Sequence, residues 1–161
     1  MLSNKLLIAA SILLTSLVSV RADWTSPTVS SDKYYTIYSE DLSFLDSTNS
    51  KITTQSAESV SDITSNKGDK GLRFRFPDGI PGKVICEAHM GHYVGYDSDK
   101  GTWRTDISES DSGKLAEVSY FTDRDADKKY IQIGVGGYYI STNAQRTSHA
   151  APWQFDEIEM V

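Results

Sequence analysis

The chain has one cysteine, three histidines and four prolines among its 161 residues, and each shortage closes off an architecture or a chemistry. With Cys86 alone, no intramolecular disulfide framework can form, so a folded domain must be held by packing. His89 and His92 lie three residues apart in what reads as a surface turn. No Cys/His cluster supplies the further ligands that zinc requires. Asn49, Asn66 and Asn143 lack a hydroxyl residue two positions on, so N-glycans are not expected. No Gly-x-Ser-x-Gly elbow is present, and Cys86 has no patterned histidine partner. The carboxylates are too numerous to single out a glycosidase pair. A non-enzymatic protein without a metal or other cofactor is the expectation.

The balance of charge is one-sided. Sixteen basic residues face 22 acidic ones, and no basic stripe is visible, which argues against nucleic acid or an anionic membrane as partner. Lys5, the apolar run from Leu6 to Val20, and Val20-Arg21-Ala22 before Asp23 read as a signal peptide over residues 1–22. The run is too short for a membrane span, so a secreted, extracellular protein is expected. Removing Lys5 and Arg21 leaves 14 basic against 22 acidic residues, a net charge of −8. Residues 23–161 suit one domain with its own core.

What the chain does have is a recurrence. Phe44, Tyr93 and Tyr139 each open a strand after an apolar strand and a tight turn, at spacings of 49 and 46 residues. A period of that size governs architecture before local propensity does. Tyr35 and Ile37 lie nine and seven residues before Phe44, as Val84 and Cys86 lie before Tyr93, and Ile131 and Ile133 precede Tyr139 by eight and six. These alternations read as half-buried antiparallel strands, with Phe44, Tyr93 and Tyr139 facing inward. Short polar-aromatic segments follow at Ile52-Thr53-Thr54, Trp103-Arg104-Thr105 and Arg146-Thr147-Ser148. Closing strands follow at Leu72 to Phe76, Glu117 to Phe121, and Trp153 to Ile158. Four strands per third make twelve, and the polar stretches Ser56 to Lys70 and Ser108 to Lys114 read as loops. Cys86, in register with Ile37, is assigned to the core as a small hydrophobe.

Twelve short strands in three units, with "GHYVGYDS", "GGYYISTN" and the closing "PWQFDEI", resemble the β-trefoils of fascin-like, agglutinin-like and ricin-B-like type. The resemblance implies an all-β β-trefoil with repeats at about 33–79, 80–127 and 128–161; an up-and-down β-barrel is the alternative. The chain lacks the repeated Gln-x-Trp of ricin-B-like lectins, so their sugar-binding residues do not carry over.

Tyr93, Tyr96, Trp103, Tyr138 and Tyr139 lie in or beside turns that also carry Asp97, Asp99, Asn143 and Gln145. A planar ring against the apolar face of a sugar, with Asp or Asn binding its hydroxyls, is a sound glycan site. Tyr93 and Tyr139 are assigned to the core. Trp103, Tyr96, Asp97, Asp99 and Asn143 are the expected ligand-binding set, on a carbohydrate-binding, lectin-like monomer. The alternative is a protein-binding trefoil, a protease inhibitor or secreted effector that docks on an extracellular protein through the Ser56 to Lys70 loop. Asp123-Arg124-Asp125-Ala126-Asp127 starts like a calcium loop, but Lys128 and Gly134 stand where its glycine and bidentate glutamate belong, so a solvated hairpin turn is expected there.

Overall fold

A computed structural model describes residues 27–65, 68–122 and 129–160. The signal peptide at 1–22 and the Asp123–Asp127 cluster lie outside the described residues. Thirteen strands follow one another: β1 (Tyr35–Tyr38), β2 (Ser43–Thr48), β3 (Lys51–Ser56), β4 (Phe74–Arg75), β5 (Gly82–Lys83), β6 (Ile85–Cys86), β7 (Tyr93–Asp97), β8 (Thr102–Ile107), β9 (Glu117–Thr122), β10 (Lys129–Val135), β11 (Tyr138–Ile140), β12 (Arg146–Thr147) and β13 (Gln154–Glu157). The protein is all-β, and every strand pairing is antiparallel. One sheet runs β6-β4-β1-β2-β3-β8-β7 with β13 paired to β1, and a second runs β12-β11-β10-β9-β5. Neither sheet closes into a barrel on its own, and the order is not the sequential meander of an up-and-down barrel.

Turn chemistry sets the hairpins. Gly136 and Gly137, both at positive φ, join β10 to β11 so that Val135 faces Tyr138. Two successive left-handed residues match the right-handed twist of the strands they connect. Asn49 and Ser50 take the same backbone region between β2 and β3 without glycine. The Ser56 to Lys70 stretch, read as a loop, holds a short helix, α1 (Val60–Thr64). Ser59 caps it by accepting from the Asp62 amide, and Ile63 is driven inward, 2 % exposed.

The main core draws six residues from each third of the described chain. Tyr35, Ile37, Leu45, Ile52, Phe74 and Phe76 come from the first, and Val84, Cys86, Val94, Trp103, Ala116 and Val118 from the second. Ile131, Ile133, Ile140, Ala151, Trp153 and Phe155 come from the last. Tyr35, Phe76 and Phe155 meet at centroid separations of 5.4 to 5.5 Å, within the range of favourable aromatic pairs.

The inward assignment of the three strand-opening aromatics needs correction by one residue. Leu45, Val94 and Ile140 are the fully buried residues, while Tyr93 and Tyr139 are only half-buried. Phe44 is buried in a separate small cluster with Tyr38, Ile63 and Leu72. Successive strand residues face opposite sides, so an error of one in the turn length exchanges the two faces. The spacing of 49 and 46 residues is the same for the following aliphatics, which is why the recurrence alone could not tell the faces apart.

Candidate functional site

Hairpin β7–β8 pairs Tyr96 with Trp103, and it is the inner partner of this pair that the sequence offered as a platform. Trp103 is 1 % exposed and belongs to the core, edge-on to Tyr96 at 5.1 Å between centroids. An aromatic one position inside a half-buried strand fills the interior as readily as it covers a ligand. Trp103 is therefore no exposed platform. Tyr96 lies over it, half-buried and packed against the main core.

The polar members of the expected set turn out to hold their own turns. Asp97 accepts from the Asp99 amide at 3.1 Å and faces the Lys114 ammonium at 3.4 Å. Burial opposes ionisation of Asp97, yet the Asp99 amide and the Lys114 ammonium together hold its carboxyl below the usual aspartate range. Asp99 is exposed, 3.6 Å from the same ammonium. Asn143 receives the Ser141 hydroxyl on its carbonyl oxygen, which also accepts from the Gln145 amide at 3.3 Å. Ser39, Asp41 and Ser43 repeat this arrangement between β1 and β2: Ser39 donates to Asp41, and the Ser43 amide donates to Asp41 at 3.4 Å. Such side chains substitute for missing backbone partners in a turn, which limits what Asp97 and Asn143 can offer a ligand.

Two residues outside the expected set complete the surface. The Arg146 guanidinium lies 5.3 Å from the Tyr96 ring centroid and 4.3 Å from that of Tyr138. Tyr138 is 42 % exposed, and Arg146 is exposed as well. The stack joins β7 to the β11–β12 hairpin, so Tyr96 and the Asn143 turn are brought to adjoining elements, with Trp103 beneath. Tyr138 was legible as an aromatic in a turn. Arg146 was visible only as one member of a polar strand, because its ring partners lie 50 and eight residues away.

Elsewhere, His89 is half-buried rather than a plain surface residue. Its Nε2 and Nδ1 lie 2.9 Å from the hydroxyls of Ser50 and Thr105, and Thr105 lies 2.7 Å from the Ser47 hydroxyl. His92 is exposed. Cys86 is fully buried, and desolvation pushes its thiol up to about 11. A cleft of about 330 Å³ under α1 is floored by Phe44, Ile63 and Leu72, and another of about 460 Å³ lies between Asp78, Lys83 and Glu117. Neither contains a residue of the expected set. Among the described residues, no group of three or more His, Cys, Asp or Glu is placed to hold a metal ion.

No family model matches the chain, and no curated protein matches it.

Proposed function

We propose that this chain is a secreted, non-enzymatic β-trefoil that binds carbohydrate through the Tyr96–Arg146–Tyr138 face. The trefoil reading rests on the core and on the order of pairing. Tyr35 pairs with Phe74, Phe74 with Cys86, Gly82 with Val118, Tyr120 with Ile131, Ile131 with Trp153, and Phe155 with Ile37. Counting β5 and β6, which follow one another across Val84, as one interrupted strand, these pairings visit each third in turn and return to β1, as a barrel built from three repeats would. The six core residues from each third accord with it.

The binding reading is carried by one observation, the exposed Tyr138 ring held beside a guanidinium. An aromatic face with donors at its edge suits a sugar, which presents an apolar patch of C–H groups ringed by hydroxyls. The protein-docking alternative loses support because its candidate loop holds the helix α1, with Ile63 buried, where an inhibitor would present an extended segment. A glycan array with the mature protein tests the reading. Retention of at least one glycan class, lost in Tyr138→Ala with an unchanged far-UV spectrum, is the expected result. A blank array alongside capture of a protease would replace it with the protein-binding alternative.

A further inference from the structure

Resting on the carbohydrate reading, we propose that the Tyr138–Arg146–Tyr96 face selects a sugar that bears a carboxylate, with Arg146 as its partner. Arg146 differs from the other arginines of the described chain. Arg73 pairs with Glu87, Arg104 with Asp106, and Arg75 donates to the Ser31 carbonyl. Arg146 is exposed and has no ion pair or hydrogen bond among the described residues, although acidic side chains outnumber basic ones. The nearby acids of the β7–β8 turn, Asp97 and Asp99, face Lys114 instead.

Two tyrosine rings flank the guanidinium, with centroids 5.3 and 4.3 Å from its carbon. Contact with a ring consumes none of the N–H donors, and among the described residues no carboxylate or carbonyl takes them. Those donors form a rigid fork that matches the two oxygens of a carboxylate. Holding the fork in place in the free protein reduces the side-chain entropy lost on binding. A neutral sugar would use only single donors of that fork. The exposed part of Tyr138 provides apolar surface for the sugar ring beside the charge. The acidic chain repels anions at long range, so selectivity must come from this contact itself, well inside a Debye length of about 8 Å.

The test pairs each acid with a neutral counterpart of the same ring. Calorimetric titration would use trigalacturonate against its fully methyl-esterified form, and 3′-sialyllactose against lactose, so that uronate and sialate sources of the carboxylate are told apart. At least one acid should bind tenfold or more tightly than its neutral counterpart. Arg146→Gln should bring that pair within about twofold, and Arg146→Lys, which keeps the charge without the fork, should fall between. Near-UV spectra establish that both variants are folded. Equal binding of acid and neutral forms, or discrimination that survives in Arg146→Gln, overturns carboxylate recognition while the carbohydrate reading stands. Failure of both acids, with a neutral glycan retained on the array, does the same. A blank array rejects both.

Discussion

Replacing Trp103 by alanine separates the two roles that an aromatic in β8 can take. The indole is 1 % exposed and packs edge-on against Tyr96 at 5.1 Å. Truncating a fully buried tryptophan costs about 3 to 5 kcal/mol through lost transfer energy and the cavity left behind. Among the described residues the Trp103 Nε1 has no hydrogen-bond partner, so no bond to them is lost in addition. A loss of about 4 kcal/mol corresponds to a fall of roughly 15 °C in Tm for a domain of this size. It also approaches the whole stability of a marginal domain, about 5 to 15 kcal/mol. Trp103→Phe, which keeps a ring in place, should lose about half as much and stay folded at room temperature. Urea denaturation of both variants, followed by circular dichroism, measures the loss. An unchanged urea midpoint in Trp103→Ala, together with lost glycan binding, would mean that the ring faces solvent and would refute its assignment to the core.

The remaining predictions concern titration and packing. The Cys86 thiol is raised from 9.0 to about 11 by burial, so the folded state keeps its proton where the unfolded state gives it up. Its contribution is full below about pH 9 and is lost as pH rises toward 11; wild type should lose about 2 kcal/mol more than Cys86→Ala over that window in urea titrations. The Arg104 hydrogen bond lowers the Asp106 carboxyl, so that its stabilisation is present above the ordinary aspartate range and fades on acidification; Asp106→Asn should flatten the acid limb of the stability profile. Gly95→Ala should cost more than about 3 kcal/mol or block folding, because a Cβ there would lie 2.2 Å from the Lys114 carbonyl oxygen. A Gly95→Ala protein with a native melting temperature would show that β7 can move away from Lys114.

The local pattern of residues determined most strand positions, the Gly136-Gly137 turn and the burial of Cys86, because alternation and turn chemistry act over a few neighbours. It did not show that the strand expected around Val84 and Cys86 is broken into β5 and β6, giving thirteen strands for the expected twelve, nor that Leu72 lies in a turn of 3-10 helix before β4. The core positions of Tyr35, Ile37, Val84, Ile131 and Ile133 followed from the same alternation. The facing of Phe44, Tyr93 and Tyr139 did not follow, since one residue of turn length decides it and composition does not register that difference. Helix α1 escaped notice because five residues with a single buried position, Ile63, carry too little periodicity to stand out from a loop. The candidate site lay further still from local sequence. Asp97 and Asn143 are the residue types of a sugar site and equally those of a self-held turn, and only their hydrogen bonds to Asp99 and Gln145 separate the two. The sequence by itself determined which residues are aromatic, acidic or strand-forming; which of them meet was decided by the tertiary structure. Arg146 comes to rest against both Tyr96 and Tyr138 because separate hairpins converge there, and a contact across 50 residues leaves no trace in either neighbourhood.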